Sequence, residues 1–491
     1  MTFCARLPAS REAVTRPRQL GRVSPLVPLG ILVVFCTGVV ALEFVRRHAL
    51  YWYEVDQDYH YAFPVEREHV AQIGEVGFRL PPANGAWQSG VVALEVAALP
   101  TGYWFEPCVE VGPRSEPQCF ERGARGRRFL VLNPGLVDRD GFIALRGRHL
   151  RWNAATEPLW LFDLPSHVDG KLLVLAPHPD DAEIAAFGLY STMTSYVVTM
   201  TAGNYVDGLY RRLATSHSDQ DALRGDVRTW DSLTVPAWGG VSWERTVNLG
   251  YPTYSLARYH AAEGDREPQP GSDETIGRYR QGAIAQLLRS RVASSDWESV
   301  VQDLAAAIET IQPFMIAAPH PMLDGHTDHQ YTTIALLEAL ARVHDPPATL
   351  LLYTNHHPQS ESYPYGPSDA LIAVPPWFDR PFPVPGVLSF PLAPDTQLRK
   401  LFALEAMHDL RAPPLRLNGG PATVLANRVQ QAWELIRSDP FGDYSHFRRS
   451  VRPNELFFTY SPSDRAALRA YLGEHFLKSL PGIADGDPTG P

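Results

Sequence analysis

A chain of 491 residues, 45% hydrophobic and 20% charged, is long enough for more than one sizeable buried core. Its formal net charge of -10 argues against a nucleic-acid partner, which normally meets a basic surface or stripe. The 44 prolines and 36 glycines form no repeat, which indicates many ordered turns rather than a low-complexity linker.

Residues 1–25 carry Arg6, Arg11, Arg16, Arg18 and Arg22, and an apolar run, Leu26 to Val45, follows. That run is about the length needed to cross a bilayer as one helix. Arginine is denser on its N-terminal side than at Arg46 and Arg47, so the positive-inside rule predicts a cytoplasmic N-terminus. The rest of the chain is then expected in the periplasm, held by an uncleaved single-pass anchor at 26–45 in a bacterial inner membrane, with "HALYWYEV" as the interfacial belt.

Residues 51–165 read as a small all-β sandwich or jelly-roll-like module. Gly90–Leu99, Gly102–Val111, Arg127–Asn133, Gly141–Leu150 and Pro158–Leu164 are short β-branched and aromatic runs punctuated by turn residues. The basic stretch "ERGARGRRF", Glu121 to Phe129, is expected at an exposed hairpin tip. Trp104, Trp152 and Trp160 are either core residues or, if exposed, platforms for sugars. Cys108 and Cys119 either bridge a hairpin in an oxidising compartment or stay reduced in the core.

From 169 to 480 the pattern changes to strands alternating with helices. "KLLVLAP" (171–177) is a continuous apolar run, the mark of a parallel strand covered on both faces, and "SYVVTMTAG" (195–203), "PFMIAAP" (313–319) and "ATLLLY" (348–353) are similar. "WESVVQDLAAAIETIQ" (297–312) places Val300, Val301, Leu304, Ile308 and Ile311 on one helical face. An open, mostly parallel α/β sheet follows, and such sheets bind ligands at the carboxyl ends of their strands.

Two polar clusters sit at those ends. His178, Asp180 and Asp181 follow one strand, and "PHPMLDGHTDHQ" (319–330) follows another. Two histidines and a carboxylate with an open position are the ligand set of a catalytic zinc site, so His178, Asp181 and His329 are the expected metal ligands. Asp180 is placed to take a proton from water at the metal, and His326 to steady an oxyanion or serve the leaving group. Either fragment alone would be weak evidence; at two strand ends of one domain they support each other.

"PHPDDAE" (177–183) joined to "PHPMLDGHTDH" (319–329) resembles the PIG-L/LmbE-like family of metal-dependent N-deacetylases, which remove acetyl groups from N-acetylglucosamine units on varied carriers. The likeness runs from about 171 to 460 and takes in "KLFALEAMH" (400–408) and "NELFFTY" (454–460). It implies a Rossmann-like domain, zinc or another divalent metal at His178, Asp181 and His329, Asp180 as general base and His326 as its helper. Asn204 stands where the family often has glutamate, Thr253 where it commonly has a sugar-binding aspartate, and His408-Asp409-Leu410 where a Ser-Gln pair is frequent. These departures leave the metal set intact and bear on the substrate. Arg224 is matched to a family arginine that holds substrate hydroxyls. Asn204, Asp328 and His356 are read as further substrate contacts, and the loops 258–275 and 354–367 as the rim of the cleft. The expected substrate is an N-acetylated amino sugar of a cell-envelope glycan or glycolipid. The alternatives are hydrolysis of another N-acyl amide, or an inactive membrane-tethered glycan-binding scaffold.

Overall fold

The computed structural model describes residues 53–477, except 82–86, 164–169, 206–209, 211–212, 215, 263–271, 284–293, 345, 361, 409 and 411–447, together with residues 30, 33–35, 37, 38 and 51. The chain divides into two units, Met1–Trp52 and Tyr53–Pro491. The expected membrane segment lies outside the described residues apart from 30, 33–35, 37 and 38, which are helical. Among the described residues no helix is long and apolar enough to cross a membrane.

The second unit is a mixed α/β fold. Its first part comprises β1 (Tyr61–Ala62), β2 (Glu68–Ile73), β3 (Gly77–Arg79), β4 (Ser89–Ala98), β5 (Cys108–Val111), β6 (Glu116–Cys119), β7 (Arg125–Leu132), β8 (Phe142–Arg148), β9 (Leu150–Trp152) and β10 (Ala155–Phe162). One antiparallel sheet has the order β2-β10-β4-β7 with β9 beside β4, and a second has the order β3-β8-β5-β6. Both sheets contribute to one buried cluster that includes Val92, Leu94, Val109, Leu130, Ile143 and Leu159. The other face of the first sheet, with Val91, Ala93, Phe129, Val131 and Trp160, joins the core of the second part. That is why β4 is apolar from Gly90 to Leu94, with exposed Glu95 the first charge in it: most of the strand is covered on both faces, not one.

Several sequence expectations change here. Gly102–Val111 is not one strand, because Pro100–Tyr103 forms a 3-10 turn and only Cys108–Val111 is extended. Trp104, just after that turn, is 49% exposed, whereas Trp160 is buried. Cys108 and Cys119, directly opposed across β5 and β6, are joined by a disulfide. The stretch Glu121–Phe129 is not an exposed tip. Glu121 and Arg128 are both fully buried and paired with each other, Tyr59 donates its hydroxyl to Glu121 at 2.6 Å, and Arg128 reaches the carbonyls of Gln57 and Val55 at 2.7 Å each.

The second part carries β11 (Leu172–Ala176), α1 (Asp181–Tyr190), β12 (Ser195–Thr201), α2 (His217–Thr234), β13 (Thr246–Tyr251), α3 (Leu256–Ala261), α4 (Ser272–Tyr279), β14 (Gln281–Gly282), α5 (Trp297–Ile311), β15 (Met315–Pro319), α6 (Thr327–Arg342), β16 (Thr349–Tyr353), β17 (Phe382–Pro383), β18 (Gly386–Pro391), α7 (Pro394–Ala406), β19 (Asn454–Tyr460) and α8 (Arg465–His475). Eight strands make one sheet in the order β14-β13-β12-β11-β15-β16-β19-β18. The run β13-β12-β11-β15-β16 is parallel and the edge pairings are antiparallel. Side chains alternate between its faces: Leu173, Leu175, Val198 and Ile316 meet α5 and α6, while Leu172, Val174, Val197 and Met315 pack with α1. The order reverses between β11 and β15, the position where open α/β sheets leave a crevice at their carboxyl ends.

Removing one partner of the buried Glu121–Arg128 pair strands the other charge, so Glu121→Ala should lower stability by about 3–5 kcal/mol. Urea unfolding of the variant measures this, and the double change Glu121→Leu with Arg128→Met should recover most of the loss.

Candidate metal centre

The candidate ligands and most of their partners follow the carboxyl ends of parallel strands. His178 to Asp181 come after β11, Gly203 and Asn204 after β12, Thr253 and Tyr254 after β13, Asp324 to His329 after β15, and Asn355 and His356 after β16. Five separate apolar strands thus deliver their polar turns to one place.

Three of these residues bring ligand atoms together. His178 Nδ1 lies 3.1 Å from His329 Nε2 and 3.3 Å from Asp181 Oδ2, and His329 Nε2 lies 3.1 Å from Asp181 Oδ2. Ligands bound tetrahedrally at about 2.0–2.1 Å sit roughly 3.3–3.4 Å apart, so this triangle fits a zinc-sized ion. His326 extends the group on one side, within 4.8 Å of His178 and His329 by its nearest ring nitrogen, and His356 extends it on the other, equally near Asp181 and His329.

A second layer of carboxylates orients the ligands. His178 turns Nε2 to Asp328 Oδ2 at 3.1 Å, and His329 turns Nδ1 to Asp324 Oδ2 at 3.0 Å. Asp181 accepts from the His178 backbone N–H at 2.8 Å and from Asn355 Nδ2 at 2.7 Å. Such partners fix which imidazole nitrogen faces the metal. Burial works against charge on His329, yet Asp181 and Asp324 outweigh it and hold the imidazole well above its ordinary pKa. Burial likewise opposes ionisation of Asp181, and His329 and His178 overcome it and hold the carboxyl well below its usual range. The carboxylates that favour a positive charge on His329 would also favour a divalent cation.

Asp180, next in sequence to Asp181, has its carboxylate engaged by an arginine. Its φ of 147° is a strained backbone for a residue with a side chain, a feature that concentrates at functional sites. Its Oδ2 lies 3.0 Å from Arg228 Nη2, and the same nitrogen donates to the Pro179 carbonyl at 2.8 Å. Arg228 comes from α2 and passes over Gly203, whose φ is +65°; a Cβ there would come within 2.3 Å of Arg228 Nε. Glycine at 203 therefore permits the arginine to reach the aspartate.

His326 caps α6. Its Nδ1 accepts the Asp328 N–H at 3.2 Å, which leaves the ring proton on Nε2 as a donor. Burial, with His178 and His329 nearby, pushes its pKa down to about 2, so the ring is neutral near pH 7.

The expected substrate contacts divide. Asp328 is fully buried and engaged by His178 and by the Tyr254 N–H at 2.6 Å, so it lies behind a candidate ligand and not at an open face. His356 stands at the cluster, its backbone N–H held by Asp324 at 3.1 Å. Asn204 accepts from the Thr253 N–H at 3.0 Å, and Arg224 donates to the Tyr205 carbonyl, so each is tied to a neighbouring loop. Asp324, Asn355 and Arg228 were not singled out from the sequence. The aspartates interleaved with histidines in "DGHTDH" are the available signal for Asp324, and Arg228 stands one helical turn beyond Arg224.

Residues 173–340 match the model of one protein family, PIG-L: GlcNAc-PI de-N-acetylase. Comparison with curated proteins gives no match. Among solved structures the chain is similar to GalB, the 4-carboxy-2-hydroxymuconate hydratase from Pseudomonas putida KT2440, at 14% identity over 60% of this chain and 95% of that one, with a TM-score of 0.28. It is also similar to a family two carbohydrate esterase from Cellvibrio japonicus, at 11% identity over 59% and 89% of the two chains, with a TM-score of 0.14. Scores this low carry no argument about fold or chemistry.

Two outcomes follow for metal binding. Asp324→Asn should weaken zinc binding roughly 10–100-fold in a chelator competition, because the orienting bond to His329 loses its charge. Zinc added to the metal-free chain at pH 7 should release protons, since Asp181 and Asp324 favour the protonated His329 imidazole and the ring must be neutral to bind. The slope of binding enthalpy against buffer ionisation enthalpy reads their number, and a zero slope contradicts the release.

Proposed function

We propose that this chain, with its PIG-L domain at residues 173–340, is a metal-dependent hydrolase that removes the N-acetyl group from an amino sugar. The observation that carries this reading is the triangle of His178 Nδ1, Asp181 Oδ2 and His329 Nε2, with sides of 3.1–3.3 Å, beside a carboxylate that is not part of it. Two imidazoles and one carboxylate suit zinc, and another divalent ion is compatible with the same donors. When bound, the metal would supply Lewis-acid polarisation of the acyl carbonyl and lower the pKa of water.

The chain's own groups perform the rest. Asp180 takes the proton of the attacking water, and the Arg228 contact keeps its carboxylate in place. His326, neutral and with its proton on Nε2, donates to the oxygen that becomes negative as the acyl carbon turns tetrahedral. The carbon–nitrogen bond then breaks, the proton held by Asp180 passes to the departing nitrogen, and acetate and a free amine result.

The placement of the reaction is part of the proposal. The apolar run 26–45 with its arginine asymmetry supports an inner-membrane anchor and a periplasmic catalytic part. The Cys108–Cys119 disulfide supports an oxidising compartment. A cell-envelope glycan or glycolipid is the substrate that this location favours. Thr253, tied to Asn204 where a sugar-binding aspartate was expected, favours one competing reading, hydrolysis of another N-acyl amide.

The test compares the full chain with its Asp180→Asn variant for bound metal and for acetate released from N-acetylated envelope glycans. The variant should keep its metal and lose about 10²–10⁴-fold in rate, the usual contribution of a general base. Equal rates would remove Asp180 from the mechanism, and metal without acetate from any glycan would redirect the search to other amides.

A further inference from the structure

The metal cluster has an aromatic wall along one side of its mouth. Tyr254 stacks on His326 with ring centroids 4.8 Å apart and planes 27° from parallel. Tyr205 meets Tyr254 edge to face at 5.1 Å and 81°. The two tyrosines are 44% and 43% exposed, so the hydrophobic core does not account for their position.

The backbone is spent on holding them there. Tyr254 has a φ of 61°, a left-handed conformation that a bulky side chain rarely adopts. It is kept in place by the bond from its N–H to buried Asp328, the same carboxylate that orients the ligand His178. Thr253 is fixed from the other side by Asn204, and the Tyr205 carbonyl by Arg224. The loops after β12 and β13 therefore converge to present two phenol rings at an open edge next to the reacting centre.

We infer that Tyr205 and Tyr254 form a stacking platform for a pyranose ring, the sugar next to the one whose N-acetyl group lies at the metal; this rests on the deacetylase reading above. A pyranose offers a flat C–H face to an aromatic ring and a rim of hydroxyls to the polar groups beside it. Two rings set nearly at right angles make a corner for such a body, with Asn204 and Arg224 near its edges. An acyl chain would instead call for a closed apolar slot, and rings this open to water do not provide one. The platform thus makes the enzyme one that acts on an oligosaccharide rather than on a free amino sugar.

The experiment measures binding of tri-N-acetylchitotriose by calorimetry to the full, zinc-loaded chain carrying Asp180→Asn, so that no ligand is consumed. Adding Tyr205→Ala should weaken binding about tenfold, and Tyr205→Trp should bind within about twofold of the parent or better. Unchanged binding in the alanine variant, with an unchanged unfolding midpoint, overturns the platform. So does loss of binding in the tryptophan variant, or a parent that does not bind the trisaccharide. Acetate release by the wild-type chain is scored separately. Acetate release with an indifferent Tyr205 leaves the deacetylase and removes the platform; a Tyr205-dependent affinity without acetate release does the reverse.

Discussion

Two buried aspartates four residues apart, Asp324 in the loop after β15 and Asp328 in the first turn of α6, hold the site together. Asp324 accepts from His329 Nδ1 and from the backbone N–H groups of His326, Asn355 and His356. In this way it ties the loop after β15 to the loop after β16. Asp328 accepts from His178 after β11 and from the Tyr254 and Leu256 N–H groups after β13. Four strand ends are therefore joined through two carboxylates, both fully buried. A buried carboxylate is tolerable only when its oxygens are satisfied, and here the satisfaction is also what assembles the ligands. Burial alone would favour the protonated acid, but His329 beside Asp324 and His178 beside Asp328 hold both carboxyls below their usual pKa.

The same economy explains how the two adjacent carboxylates of Asp180 and Asp181 differ. Asp180 and Asp181 are adjacent in sequence, yet Asp181 begins α1 and faces the two imidazoles, while Asp180 takes an unusual backbone angle and faces Arg228. The helix start separates their side chains, and Gly203 clears the path for the arginine. One aspartate is thus given to the imidazole pair and the other to the arginine.

Much of this was legible in the sequence because buried parallel strands read as continuous apolar runs, and the polar residues ending them stand out against that background. His178, Asp181 and His329 were visible for this reason, as were β11, β12, β15 and β16. The second layer was harder. Asp328 looked like a substrate residue because nothing in its spacing tells a buried acceptor from an exposed one. Arg228 acquires its role only when α2 is laid against the turn after β11, 48 positions away. Glu121 and Arg128 were misread because charged residues in a Gly-rich stretch resemble solvent-facing ones, and only their mutual pairing makes burial tolerable. Strands β2, β3 and β6 escaped notice because they are short and partly polar.

The five-stranded sheet of the first part, packed by one face on the second, has a bearing on how such a protein could have been assembled and how it can be rearranged. Phe63, Phe129 and Trp160 from the first part sit in the same cluster as Phe382, Val387 and Phe458 from the second, and the Ser389 N–H bonds to Ser89 Oγ across the junction at 2.9 Å. Recombination that exchanged the N-terminal strands for those of another protein would lay bare an aromatic face on each side of the cut. The two parts are therefore heritable as a pair, and sequence change on one side of that face has to be matched on the other.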